Sequence, residues 1–479
     1  MRRCEANRAQ ISMRKGLDAE AGYAREMLGR TAIMVIPTVA VAVTALVLLG
    51  PGALRPALGV RLRGAPAAGA PVMALRLEAV RSLYDVDEVT ALDGIHVDAT
   101  AGGARLGGWS GDADKDGIAE VRLDSAAPIT GPLEVVITRA GVLLAHGTIP
   151  LRPADPIVMG RGIVPGIAHG DLGIQVEAVR GVLAAPFPDT LAFTVSELLG
   201  GAPVQADLEL SVLGAELFKP GSSATAAAEA LPLRLTTNDR GAARIVIKPL
   251  AHDVNLAITA RTLEKTGRWE GVLPVVPGAA WIEPGSGLGP LVVVSPAPHA
   301  FAYLSFWSEA GRVAGASLPL AKDADGFYRA RVTPLLPADA RTLYVNIAGD
   351  SLELGAGTVA WPLRPAEAAF TARPMELLLD GLPEGRALEK ARAWSARRAG
   401  LAVIAAAALA EIVLLLYRSR ASQQKLEAHF LEGEPDDSPD RPGLLRAARE
   451  HMVLRALVGV AMIALAFAII GALTTLRMR

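Results

Sequence analysis

Hydrophobic and polar positions along the chain fall into three regimes. An uncharged apolar run, Thr31 to Leu49, comes first. As a helix it covers one bilayer thickness, for which about 20 residues suffice, and it predicts a transmembrane helix over residues 31–50. The pattern then changes to short runs in which apolar and polar residues alternate. These are Met73 to Val80, Ile118 to Leu123, Leu133 to Ile137, Ile174 to Val179, Leu191 to Val195, Leu208 to Val212, Ala243 to Ile247, Ala302 to Trp307, Tyr328 to Val332 and Leu343 to Ile347. A period of two marks strands with one buried face. Past Leu363 the spacing becomes helical. An amphipathic juxtamembrane helix is predicted at 384–398, and further transmembrane helices at 399–417 and 456–476. Between them, 418–455 reads as a cytoplasmic helix-loop-helix broken at Pro439 and Pro442.

The strand-rich middle repeats itself. Leu75-Arg-Leu-Glu78-Ala-Val-Arg81 echoes Ile174-Gln-Val-Glu177-Ala-Val-Arg180. A second element occurs at Asp114-Lys-Asp-Gly117, Asn238-Asp-Arg-Gly241 and Asp323-Ala-Asp-Gly326, each followed by an alternating run. An Asp or Asn that bonds its own backbone, followed by a glycine at positive φ, makes a tight turn into a strand. Three such turns at domain spacing predict three tandem β-sandwiches, because a single sheet cannot bury its apolar face alone. The boundaries are 72–152, 170–277 and 288–365, with a Pro/Gly/Ala-rich linker at 51–71 and a short Ala-rich insertion at Ser223 to Leu231. The predicted fold class is therefore mostly β, three immunoglobulin-like sandwiches with transmembrane helices at both ends.

Thr190-Leu-Ala-Phe-Thr-Val, Gly201-Ala-Pro203-Val204-Gln-Ala206 and Thr237-Asn-Asp-Arg-Gly241 together resemble bacterial immunoglobulin-like domains of the macroglobulin and carboxypeptidase-regulatory type. The resemblance is clearest over 174–276, looser over 288–365, and lacks the Gly-x-Pro-Val element in the first sandwich. It implies spacer, adhesion or scaffold modules. The reactive thioester of true macroglobulins does not carry over, because the strand-rich region has no cysteine.

Composition and charge refine the picture. Of 479 residues 51% are hydrophobic, and mean hydropathy is +0.34. The formal net charge of -1 gives no field that would recruit nucleic acid. Cys4 is the only cysteine, so an internal disulfide or a cysteine-based structural metal site is excluded. The arm 1–30 carries a basic excess, including Arg2, Arg3, Arg8, Arg14, Lys15, Arg25 and Arg30. That excess predicts a cytoplasmic N-terminus and places 51–399 outside a bacterial inner membrane, in a multi-pass chain. Two alternatives stay open: cleavage of the first run as a signal peptide, and a reversed second helix, whose preceding Lys390, Arg392, Arg397 and Arg398 outweigh the bases beyond it.

Candidate chemistry is sparse. Asp112, Asp114, Asp116 and Gly117 match the front half of a calcium-binding loop, and Glu120 is near enough to contribute. The twelfth position is Leu123, where a bidentate glutamate is expected, so an acidic turn is the competing reading. The scattered histidines form no zinc signature, and no nucleophile elbow occurs. Phe301, Tyr303, Phe306 and Trp307 form an aromatic cluster, read as core in preference to an exposed glycan platform. Glu411 sits inside the second apolar run, where an ionisable group marks a partner contact. Ala402, Ala406 and Ala410, and Ala464, Ala468 and Ala472, recur every four residues and predict faces for close helix approach, either between these two spans as a hairpin or against another protein in the membrane.

These features point to a non-enzymatic envelope protein, anchored in lipid, that presents its sandwiches to protein partners or wall polymers. One alternative is an accessory subunit of a transport or secretion complex. Another is a tethered hydrolase or sensor whose groups converge only in three dimensions.

Overall fold

The alternating runs become strands in this computed structural model, which describes residues 56–83, 86–219, 228–283 and 289–433, together with scattered helical positions between 35 and 46 and between 446 and 466. The chain divides into two units: a strand-rich one, Ala57–Gly385, and a second, Met1–Pro56 with Arg386–Arg479, whose described residues are mostly helical.

Within the strand-rich unit the first sandwich pairs two sheets. In one, Val72–Leu83 lies between Ala57–Gly64 on one side and both Ile118–Asp124 and Val86–Val89 on the other. Its twelve residues are long enough to serve two partners end to end. The facing sheet runs Val142–Ile149, Leu133–Arg139, Leu92–Ala101, with Ala104–Arg105 and Trp109–Ala113 at its far edge. The second sandwich packs Ile167–Gly170, Thr266–Val272, Asn255–Arg261, Asp207–Leu213 and Leu233–Thr236 against Leu172–Ala178, Asp189–Glu197, Ala242–Pro249 and Ala215–Phe218. The third packs Trp281–Ile282, Leu291–Ser295, Tyr328–Val332 and Ala321–Lys322 against Gly311–Pro319, Phe301–Ser308, Leu343–Ala348 and Val359–Arg364.

Alternation decides which face is buried. Along Leu172–Ala178 every second residue is buried, and Val176, Phe193, Leu210, Ile258 and Trp269 fill the space between the second sandwich's sheets. Each fully buried Leu, Ile or Phe contributes on the order of 2 kcal/mol. Phe301–Ser308 and Leu343–Ala348 break the rule, being buried along almost their whole length. Phe306 faces the core of the third sandwich, whereas Trp307 stacks with Tyr344 on the other side of the sheet, against Ala65, Phe370 and Met375.

The repeated turns share one geometry. At each, the glycine N–H donates to the carbonyl three residues back, and the leading residue's N–H donates to the carbonyl just after the glycine. Gly117, Gly241 and Gly326 have φ of 69°, 67° and 90°. The third turn closes a hairpin within one sheet, while the first two lead from a strand of one sheet to a strand of the other.

The stretch read as a linker carries the strand Ala57–Gly64, whose alternation is obscured by flanking proline, glycine and alanine. Its outer neighbour is Glu376–Asp380, from beyond the predicted end of the third sandwich, with Arg61 opposite Asp380 and Gly64 opposite Glu376. The strand-rich unit therefore begins and ends in the same sheet. Asp380 Oδ1 accepts the Leu382 N–H at 3.0 Å and caps the long helix Leu382–Gly433. Of the Ala-rich insertion, 223–227 are outside the described residues.

The predicted juxtamembrane and second transmembrane helices, 384–398 and 399–417, are parts of this one continuous helix. Among the described residues it alone is long and apolar enough to cross a membrane, within Leu382–Lys425, where the apolar 18-residue window has a mean hydropathy of 2.5. This corrects two expectations. Transmembrane helices at both ends become one candidate span, and the multi-pass placement that rested on them gives way with them. Apolar length suggested the other runs, whereas the described residues hold one helix of that length and composition. Residues 31–50 and 456–476 enter the described residues only at scattered helical positions.

Candidate interaction site

The acidic loop is at the contact between the first and third sandwiches. Asp112 Oδ1 accepts the Gly94 N–H at 2.7 Å, and Asp116 Oδ1 accepts the Ile118 N–H at 3.1 Å. The other Asp116 oxygen accepts from the Ser317 hydroxyl of the third sandwich. Asp114 closes the turn through its backbone, with its carbonyl 2.8 Å from the Gly117 nitrogen. Glu120 points elsewhere, to Arg76 and Arg312 at 2.7 Å each. The structure thus brings Asp116 and Glu120 to one interface but commits them to different partners. Among the described residues no group of three or more His, Cys, Asp or Glu side chains is placed to hold a metal ion.

Glu120 opens onto the most heavily charged buried contact of the strand-rich unit. Arg76, fully buried on Val72–Leu83, donates from Nε to Glu120 and lies 2.8 Å from Glu353 of the third sandwich. Its remaining N–H groups donate to the carbonyls of Ser351 at 2.8 Å and Leu304 at 3.0 Å. Arg312 donates to Glu120 and, from Nε, to the Ser305 hydroxyl at 3.0 Å; that hydroxyl donates to Glu353 at 2.5 Å. Two guanidinium and two carboxylate groups therefore balance across the interface. Burial opposes the Arg76 charge, but Glu120 and Glu353 outweigh it and hold the guanidinium above its ordinary range. For Glu353 burial is the larger influence, and it raises the carboxyl despite Arg76, Arg312 and Ser305.

The second and third sandwiches meet through Arg180, the last residue of the second Glu-Ala-Val-Arg repeat. Its guanidinium lies 4.2 Å above the Trp361 ring, donates to the Ile282 carbonyl at 3.3 Å, and faces Asp189 at 3.6 Å. Burial pushes Asp189 up to about 6, with Arg180 and the Thr190 N–H pulling the other way. Phe187 stacks on Trp281 with ring centres 5.1 Å apart.

In the helical unit, Glu411 is buried on the face of Leu382–Gly433 that also buries Ile404 and Ala407, which pack on Ala40. Its Oε1 has no hydrogen-bond partner. Ala402, Ala406 and Ala410 lie on the exposed side of that helix. Ala464, Ala468 and Ala472 are outside the described residues. The aromatic cluster is interior: Tyr303, Phe306 and Trp307 are buried.

Sequence reasoning missed Arg76, Arg312 and Glu353. Arg76 alternates with Leu75 and Leu77 and so reads as solvent-facing; its outward face is covered by another sandwich. The available signal was the near-continuous apolar character of Phe301–Trp307, interrupted only by Ser305, which marks a strand covered on both faces.

No protein-family model matches the chain. No curated protein matches it either. Among solved structures it is similar to a β-glucuronidase of glycoside hydrolase family 2, at 10% identity and TM-score 0.17, over 62% of this chain and 39% of that one. It is similar to the native conformation of α-2-macroglobulin from E. coli, at 11% identity and TM-score 0.17, over 67% and 22%. It is also similar to the D0-D1 domain of intimin, at 16% identity and TM-score 0.15, over 44% and 96%. The chain spans well under half the length of the first two. The likeness is a weak, low-identity one to β-sandwich folds of the immunoglobulin-like and macroglobulin type.

Proposed function

We propose that this chain is a non-enzymatic, membrane-tethered binding protein whose three sandwiches act as one rigid platform for a protein or polymer partner. The observation that carries this reading is the buried Arg76–Glu120–Arg312–Glu353 network. Beads on a flexible string leave polar, loosely held junctions. Here two guanidinium groups are desolvated at the junction, which fixes the relative placement of the first and third sandwiches and the surface they present together. The long apolar helix supplies the tether and keeps the platform on one face of the bilayer. The test is pull-down from an envelope extract with residues 57–385, against the same fragment carrying Arg76→Met. Partners captured by the first and lost by the second support a platform. Equal capture by both assigns binding to a single sandwich and sinks the platform reading.

A second reading rests on Glu411. A carboxylate with an unpartnered oxygen inside an apolar helix favours contact with another membrane protein, as in an accessory subunit of a transport or secretion complex. An integral-membrane partner that co-purifies in mild detergent and is lost on Glu411→Leu supports this reading; retention of that partner counts against it.

A further inference from the structure

A cleft of about 810 Å³ opens between the second and third sandwiches. Such a volume suits a small organic ligand. Phe187, Phe218, Trp281 and Phe327 line it, and Phe187 stacks on Trp281 and tilts against Phe327 at 5.3 Å. Two of its lining residues keep a buried polar atom without a hydrogen-bond partner: the Asp189 carboxylate at Oδ2 and the Trp281 indole at Nε1. Buried groups of this kind are costly unless something satisfies them.

Unmet hydrogen bonds select the ligand. Of the two cations that line the cleft, Arg329 holds Asp323 at 2.8 Å and Asp325 at 2.5 Å, and Lys248 lies 3.5 Å from Glu216. Asp189 likewise has a counter-charge, Arg180 at 3.6 Å, but that guanidinium donates to the Ile282 carbonyl and lies over the Trp361 ring, so Asp189 Oδ2 still lacks a donor. The surrounding aromatic rings attract positive charge and alkyl groups alike. The indole N–H asks in addition for an acceptor on the same ligand.

We propose that this cleft binds an organic ammonium ligand that also carries a hydroxyl or carbonyl oxygen, as amino alcohols and amino amides do. The ammonium donates to Asp189, its alkyl part rests on the aromatic rings, and its oxygen accepts from Trp281. No group is transferred, and the site needs no other component.

The test is saturation-transfer NMR on the full chain in detergent, with ethanolamine, ethylammonium and the uncharged ethylene glycol as probes. Ethanolamine gives a signal and ethylene glycol gives none. Asp189→Asn, which keeps the Oδ1 bond to the Thr190 N–H, weakens ethanolamine by about tenfold, in line with loss of a charge-assisted hydrogen bond. Trp281→Phe weakens ethanolamine but leaves ethylammonium unchanged. Phe327→Leu, on the half-buried rim, weakens both amines without removing a core side chain. Equal signals from ethylene glycol and ethanolamine overturn the proposal. So does the absence of any amine signal, or an Asp189→Asn variant that folds and binds as before.

Discussion

Arg76 and Glu353 form an ion pair 2.8 Å long with both side chains buried, yet the two charges do not have equal standing. Arg76 faces two carboxylates and is held in its charged form. Glu353 is buried so deeply that its carboxyl is raised in spite of its partners. Removing the cation strands Glu353 and weakens Glu120, whereas neutralising Glu353 relieves a group whose charge is already opposed. Arg76→Met is therefore expected to cost about 3–5 kcal/mol. Glu353→Gln, which retains an acceptor for Ser305, is expected to cost less than about 1 kcal/mol. Urea unfolding of residues 57–385 measures both; equal losses would contradict the asymmetry.

The three turn glycines separate by what surrounds them. An added Cβ at Gly241 meets the Val195 carbonyl oxygen and the Val204 backbone, and at Gly117 it meets Val89 and the Thr90 backbone; at Gly326 it meets open space. All three sit at positive φ. Gly326→Ala should cost about 1 kcal/mol, from the backbone alone. Gly241→Ala and Gly117→Ala should each cost at least about 2 kcal/mol, because backbone must move as well. Thermal melts of the three variants check the order.

Asp189 gives a pH dependence of definite sign. Its carboxyl is raised to about 6 in the folded protein against an ordinary 3.8. The folded state then binds the proton more tightly than the unfolded chain, so this residue's contribution is greatest at low pH and is lost as pH rises from 3.8 through 6. The loss is at most roughly 3 kcal/mol. Asp189→Asn should flatten the stability profile over that window relative to the parent protein. A profile unchanged by the substitution would show that the carboxyl is not raised.

The strand Glu376–Asp380 should be needed for the first sandwich to close. It covers the outer edge of Ala57–Gly64, and Leu378 and Leu379 pack on the first core. A chain of residues 57–385 is expected to melt in one transition. Ending it at 365 should lower the melting temperature and expose an unpaired strand edge that associates. Calorimetry and sedimentation of the two fragments decide the matter.

Much of the strand arrangement was legible in the sequence because period two and the Asp/Asn-x-x-Gly turns are local signals. Met73 to Val80 lies within Val72–Leu83, Ile174 to Val179 matches Leu172–Ala178 except at its last residue, and the three turns form with the same pair of backbone bonds. Legibility ended where partners are distant. Nothing near Ala57 announces that its strand pairs with Glu376–Asp380, and nothing near Glu353 announces Arg76. The cleft was likewise hidden, because Phe187 and Trp281 belong to different sandwiches and meet only once both have folded. The alanine stripe at 402, 406 and 410 lies on the exposed side of its helix, while Ile404, Ala407 and Glu411 hold the buried side: small residues permit close packing but do not choose the face.

That Ala57–Gly64 and Glu376–Asp380 are antiparallel neighbours, with Arg61 beside Asp380, has a mechanical consequence. Tension applied at the two ends of the strand-rich unit enters and leaves through one ladder and peels its bonds in succession. The second and third sandwiches stay off the load path until that ladder opens. The unit therefore behaves under force as a latch with a single weak seam, and it cannot lengthen module by module as a serial chain of domains does.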